Sequence, residues 1–277
     1  MKQYCRIIGI VIPTTDNSFF SNFAYHAEKL LYQYGCHALI CSSDNNAEKE
    51  KEYLKMLVSL GVEGIICISG LSNLPDQLIP DDFPLVWVDR VPASARRIPF
   101  VTNDDEIAMK MAVEYLISKG CRDILLAPGY LAEDQESPRV KGYRESLQNK
   151  CIKFCEDNIL KRRGIGTSES ETAQLVRDFL RKGRKVDGII TSSDRAALGA
   201  MTALRSVGLY IPEDIKLISF DNSPYSAMTD PPITVLDRNP ASLAAKSLEI
   251  LQAMISNNPY AIENIMPVAL VERFSTR

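Results

Sequence analysis

Histidine is almost missing from this chain, with two in 277 residues. His26 falls inside a helical pattern and His37 on an expected strand beside Cys36. Packed or surface roles suit both better than catalysis, although carboxylates could serve as bases instead. There is no G-x-G-x-x-G, no G-x-x-x-x-G-K-[ST], no G-x-S-x-G and no H-E-x-x-H, so the common dinucleotide, phosphate-loop, hydrolase and metalloprotease signatures are lacking. Gly164-Ile165-Gly166 lacks a third glycine and follows a charged segment rather than a strand, which makes it a loop. Neither enzymatic activity nor a cofactor is expected.

Long hydrophobic runs are also lacking. The first apolar run, Ile7 to Ile12, is far too short to cross a membrane, and no small-residue cleavage site follows it. Seven cysteines form no framework spacing and fit a reducing compartment, so the expected home is the cytoplasm. Cys151 and Cys155 are the one close pair, with no histidine near them in sequence; a zinc site needs four clustered ligands, so buried or idle thiols are expected and no metal. The formal net charge of -3 gives no basic field for nucleic acid or an anionic membrane. The short groups Arg96-Arg97, Lys161-Arg162-Arg163, Arg181-Lys182 and Arg184-Lys185 read as solvated surface.

What is present is an echo. Val186-Asp187-Gly188-Ile189-Ile190 repeats Val62-Glu63-Gly64-Ile65-Ile66, and both follow an amphipathic helix that ends in glycine. At this length a core tends to split into units of about 100 to 150 residues, so two similar α/β lobes with a cleft between them are expected.

The chain supports this reading. Ile7 to Ile12 is an apolar run stopped by Pro13, as in a parallel strand buried on both faces. Thr14 to Ser18 offers several helix caps, and Phe20, Phe23, Ala24, Ala27, Leu30, Leu31 and Tyr34 recur at helical spacing before Gly35. Strands follow at His37 to Cys41, Ile65 to Ile68 and Leu85 to Val88. A charged helix between the first two starts at Asn46 and carries Tyr53, Leu54, Leu57 and Leu60. Past Val101 come a helix through Leu116, a strand at Ile124 to Ala127, helices at Tyr143 to Leu147 and Ala173 to Leu180, and the Gly188 strand. Asp194 is then placed to cap a helix that leads to the strand Leu217 to Phe220. A further helical stripe runs from Leu243 to Ile255, and Val268 to Val271 reads as a closing strand. This alternation specifies doubly wound parallel sheets.

Polar residues stand at the carboxyl ends of several strands, where open α/β sheets place ligands. They are Asp16 and Asn17, Asp89 and Arg90, Ser193 and Asp194, and Asp221 and Asn222. Each could instead be a cap or turn former. Taken together with Phe19 or Phe20 as an aromatic face and Arg139 as a fork of donors, they suit a small polyhydroxylated or heterocyclic molecule.

In order and spacing these segments resemble the effector-binding core of the LacI/GalR transcription regulators. The resemblance rests on Ile8-Gly9-Ile10-Val11-Ile12-Pro13 leading to Asn17-Ser18-Phe19-Phe20, on Pro84-Leu85-Val86-Trp87-Val88-Asp89-Arg90 and on Arg139-Val140-Lys141-Gly142-Tyr143. It continues through Asp187 to Ala200, Gly208 to Asp214 and Pro231-Pro232-Ile233-Thr234, and spans Tyr4 to Ser275. It implies a periplasmic binding protein-like fold of type I: two Rossmann-like lobes with parallel sheets, joined by three crossover strands. The expected bounds are 1–102 with 237–264, and 103–236 with 265–277. The implied effector contacts are Phe19 and Phe20 for stacking, Asp89 and Asp221 for hydroxyl or amide groups, and Arg139 for a bidentate contact, with Asp16 a weaker candidate.

Two positions depart from the family pattern. Ser193 stands where asparagine is usual, and Asp237-Arg238 where a basic residue and glutamine are common. Arg238 could favour an anionic effector, such as a phosphorylated or acidic sugar, or could pair with Asp237. The expected partners are a sugar, sugar phosphate or similar effector, a second copy in a homodimer, and operator DNA only through an N-terminal headpiece. No helix-turn-helix precedes Tyr4, so the expectation is a core trimmed of that headpiece, with a protein that never contacts DNA as the alternative. Effector binding is expected to shift the two lobes and reposition attached headpieces. A sugar-binding transport receptor of the same fold is the rival reading.

Overall fold

The computed structural model describes residues 6–95, 97–127, 137–161 and 168–277. Met1 to Cys5, Arg96, Arg162, Arg163 and Gly164-Ile165-Gly166 lie outside the described residues. The chain divides into two compact units, Met1–Asn103 with Asn239–Met266 and Asp104–Arg238 with Pro267–Arg277, so it passes between them three times. Each passage falls one or two residues beyond the position read from sequence.

The first unit begins with β1 (Arg6–Ile12), α1 (Ser18–Gln33), β2 (Cys36–Ser42), α2 (Ala47–Ser59), β3 (Gly64–Cys67), β4 (Leu85–Val88) and β5 (Phe100–Asn103). The second contains α3 (Asp105–Ser118), β6 (Ile124–Ala127), α4 (Pro138–Asn149), α5 (Ser168–Arg181), β7 (Gly188–Thr191), α6 (Asp194–Ser206), β8 (Lys216–Phe220), α7 (Pro224–Met228) and β9 (Thr234–Asp237). The chain then returns for α8 (Pro240–Ile255) and β10 (Glu263–Met266), and closes the second unit with β11 (Ala269–Val271).

The first sheet runs β10-β5-β4-β3-β1-β2, all parallel, and the second β11-β9-β8-β7-β6. β11 pairs antiparallel with β9, so the closing strand makes the second sheet mixed where a parallel one was expected. β5, β9 and β10 were not read from sequence. β5 follows two apolar residues with Thr102 and Asn103, β10 begins with Glu263 and Asn264, and β9 mixes Thr234 and Asp237 with two aliphatics, so none presents the continuous apolar run that betrays a buried strand.

Both sheets are covered on both faces. In the first unit α1 and α8 pack Phe23, Ala27, Leu31, Leu248 and Leu251 on one side, and α2 packs Leu54 and Leu57 near Trp87 on the other. In the second unit α3 and α4 cover one face with Met109, Leu116, Tyr143 and Leu147, and α5 and α6 the other with Val176, Phe179, Ala200 and Leu204. Each large apolar side chain buried in this way contributes about 1.5–3 kcal/mol. Tyr34 and Leu60, expected in the buried stripes of α1 and α2, are exposed because the helices end one residue earlier and these two are C-caps.

Two motif glycines allow close helix contact. A Cβ on Gly142 would lie 2.5 Å from the carbonyl oxygen of Glu106, and one on Gly199 would overlap the carbonyl oxygen of Glu169. The R-x-x-G and A-L-G-A patterns therefore record how tightly α4 meets α3 and α6 meets α5. Among the described residues no helix is long and apolar enough to cross a membrane.

Candidate functional site

In the first unit the strand-end residues gather after β1, β2, β3 and β4. Asp89 leaves β4 with φ 63, a left-handed conformation that few non-glycine residues other than Asn and Asp adopt. Its N–H donates to the Val101 carbonyl at 2.9 Å and its carbonyl accepts from Thr102 Oγ1 at 3.2 Å, which fixes the backbone on the end of β5. The Asp89 side chain is 9% exposed, with Oδ2 3.9 Å from Nε of Arg90. Arg90 in turn lies over the Phe20 ring, 5.2 Å from its centroid, and donates to Asn45 Oδ1 at 3.2 Å.

Phe19 and Phe20 meet edge to face at 5.6 Å and are 2% and 5% exposed, as members of the core. They do not offer the open stacking face read from sequence: the first turn of α1 turns both rings into the packed interior. Asn17 caps that helix by accepting from the Phe19 N–H at 2.8 Å. Asp16 is exposed in the preceding turn, where its N–H donates to Thr14 Oγ1 at 3.1 Å.

In the second unit Arg139 sits in the first turn of α4, after the cap Ser137. Its fork is engaged by protein: Nε donates to Asp105 Oδ2 at 2.9 Å and Nη2 to Asp105 Oδ1 at 3.1 Å. Nη1 donates to the Ser192 carbonyl at 3.1 Å, and the guanidinium carbon lies 4.0 Å from the centroid of the Phe220 ring. The expected ligand fork is thus a two-point pair with α3, with an N–H left over on each Nη.

Ser193, not Asp194, caps α6: its Oγ accepts from the Ala196 N–H at 3.3 Å. Asp194 is the first helical residue and points inward, accepting from Ser219 Oγ and, at 2.6 Å, from the Ser223 N–H. Burial raises its pKa, while those two bonds and the charge of Arg273 work against the rise.

Asp221 follows β8 with φ 97, and Asn222 with φ 58. The Asp221 N–H donates to the Leu236 carbonyl at 3.0 Å, the counterpart of the Asp89 bond to Val101. Arg238 Nη1 lies 3.4 Å from Asp221 Oδ1, with the two side chains 6% and 5% exposed. Asp237 accepts from Asn222 Nδ2 at 3.0 Å. Burial pulls the Arg238 guanidinium down to about 9.

Sequence reasoning missed the buried acid of α2. Glu50 accepts from Ser69 Oγ at 2.5 Å and from the Gly70 N–H at 2.7 Å, tying the loop after β3 to the helix, and burial raises its pKa. Its spacing to Leu54 and Leu57, one inward stripe of a helix, was the available signal. The pairing of Asp105 with Arg139 left no such trace, because an acidic run at a helix start reads as capping.

Residues 113–276 match the family model of the periplasmic binding protein-like domain. The ribose operon repressor of Halalkalibacterium halodurans is 30% identical over 98% of this chain and 80% of its own length. A periplasmic binding protein/LacI transcriptional regulator from Alkaliphilus metalliredigens, solved with D-xylulofuranose, is 28% identical with a TM-score of 0.83, covering 98% of this chain and 99% of the other. The chain belongs to the LacI family of transcription regulators. The HTH-type transcriptional repressor PurR of Vibrio parahaemolyticus is 28% identical over 92% of this chain and 76% of its own. The match corresponds to the effector-binding core of such repressors, which are regulators rather than enzymes.

Proposed function

We propose that this LacI-family core senses a small polyhydroxylated metabolite, a sugar or sugar derivative, and that the bound ligand controls operator binding by a headpiece outside these 277 residues. The observation that carries the reading is the matched pair Asp89 and Asp221. Each follows a strand at positive φ, each is anchored by its own N–H to the next strand, and each has an arginine beside it. Strained backbone at a strand end is retained where the side chain has a task, and an ionised carboxylate accepts from sugar hydroxyls.

Arg139 contributes its remaining N–H groups, Ser193 and Asp16 are further polar candidates, and Phe19 and Phe20 support from within the core. The buried guanidinium of Arg238 favours a ligand with an acidic or phosphoryl group if Asp221 gives way to it. The same reading places the protein in the cytoplasm as a homodimer. In support of a sugar, one relative is named a ribose operon repressor and a solved relative holds D-xylulofuranose.

Ligand binding controls DNA only if the two functional states bind the ligand unequally. The test is a thermal-shift screen of pentoses, hexoses, sugar phosphates and nucleobases, followed by operator binding of the headpiece-bearing protein with and without the best ligand. A ligand that leaves operator affinity unchanged would remove the regulatory part of the reading.

A further inference from the structure

Three consecutive residues leave β8, and each has its own anchor. The Asp221 N–H is held by the Leu236 carbonyl at 3.0 Å, and the Ser223 N–H by Asp194 at 2.6 Å. Asn222, between them, is held by its side chain: Oδ1 accepts from Arg273 Nη2 at 2.6 Å and Nδ2 donates to Asp237 at 3.0 Å. Successive non-glycine residues at φ 97 and φ 58 persist only where the surroundings over-determine them.

Arg273 reaches this loop from near the end of the chain. Its Nη1 donates to the Ile233 carbonyl at 2.8 Å and to Ser226 Oγ at 3.3 Å, and its backbone N–H donates to Thr234 Oγ1 at 2.9 Å. One planar guanidinium therefore joins the loop after β8, α7 and the approach to β9. An ammonium, a point charge without the fork, could satisfy these acceptors only in part.

We propose that Arg273 is a positioning residue for effector recognition: by holding Asn222 it fixes the turn that presents the Asp221 carboxylate. The ligand role of Asp221 comes from the function proposed above, and the positioning role is separable from it. Ser275 supplies the contrast. Its Oγ donates to the Leu217 carbonyl at 2.5 Å and accepts from the Thr234 N–H at 2.8 Å, pinning the same terminal segment without touching Asn222.

Amide hydrogen exchange on the ligand-free chain tests this directly. In Arg273→Ala the amides of residues 221–228 should exchange roughly tenfold faster, the loss of about one charge-assisted hydrogen bond. Asn222→Ala should reproduce the effect, the double variant should add little, and Arg273→Lys, which keeps the charge and guards against loss of folding, should fall between. Ser275→Ala should leave 221–228 at the wild-type rate once global stability is matched. Wild-type exchange in Arg273→Ala, or equal acceleration in Ser275→Ala, would overturn the proposal. Calorimetric titration with D-ribose and D-xylulose supplies the second arm: binding about tenfold weaker in Arg273→Ala supports positioning, and unchanged affinity overturns it. If neither sugar binds the wild type, it is the assignment of these ligands that fails, and the exchange arm still decides the role of Arg273.

Discussion

Arg139 and Asp105 form a two-point pair across α4 and α3, with Nε and Nη2 donating to the two carboxylate oxygens at 2.9 and 3.1 Å. The plane of the guanidinium is fixed on its other side by Phe220. A side chain held so completely has lost its rotamer freedom before any ligand arrives, which lowers the entropic cost of using its remaining donors.

Arg139→Ala should therefore weaken ligand binding by about 1.5–3 kcal/mol, or roughly one to two decades. Asp105→Ala should weaken it too, through loss of orientation. Because Asp105 acts through Arg139, the double variant should lose little more than Arg139→Ala alone, and calorimetric titration of all four proteins measures that coupling. Full additivity would assign Asp105 a separate role.

The two strand-end acids should differ in what they hold up. Asp221→Asn removes a carboxylate that faces the nearly buried Arg238 and should cost about 3–5 kcal/mol of stability, as when one partner of a buried pair is removed. Asp89→Asn removes an acid whose arginine is 25% exposed and 3.9 Å away, so the loss should be near the surface-pair range of about 0–1 kcal/mol. Urea unfolding of the two variants measures the difference.

The doubly wound alternation, the order of most elements and the strand ends carrying Asp89 and Asp221 were legible in the sequence, because Ile7 to Ile12, Leu85 to Val88 and Leu217 to Phe220 are apolar runs with polar residues directly after them. β5, β9 and β10 were not, because their polar positions break the apolar pattern that marks a buried strand. The partners of the arginines were equally hidden. Nothing in the spacing of Asp105 and Arg139, or of Asn222 and Arg273, separates an acid or amide in contact from one that is only a cap.

Glu50 and Asp194 set a pH dependence whose sign follows from burial. Both carboxyls have folded-state pKa values raised above their ordinary range, so the protonated form is favoured by folding. The stabilisation belonging to those protons is complete below the ordinary carboxylate range and is lost as pH rises through the raised values. In Glu50→Gln with Asp194→Asn that decline should flatten, as seen in unfolding midpoints followed upward from about pH 4. Glu50→Ala, by contrast, leaves Ser69 Oγ and the Gly70 N–H without their acceptor and should cost about 1–3 kcal/mol for each group.

Gly142→Ala and Gly199→Ala should each destabilise the second unit by about 1–3 kcal/mol or more, because the added methyl meets backbone that cannot move aside as a side chain could. Gly120→Ala is the comparison: its added carbon meets nothing within 4 Å, but its φ of 96 strains any L residue, so its cost has a conformational origin. Denaturant midpoints measure all three.

The most direct measurement is calorimetric titration of sugars into wild type, Asp89→Ala and Asp221→Ala, guided by melting temperature, since a ligand at a hundred times its Kd adds about 2.7 kcal/mol to apparent stability. The expected result is a sugar or sugar derivative that binds the wild type and loses one to two decades, about 1.5–3 kcal/mol, in each variant. A ligand that binds both folded variants as tightly as the wild type would contradict the claim that these two strand-end carboxylates hold the effector.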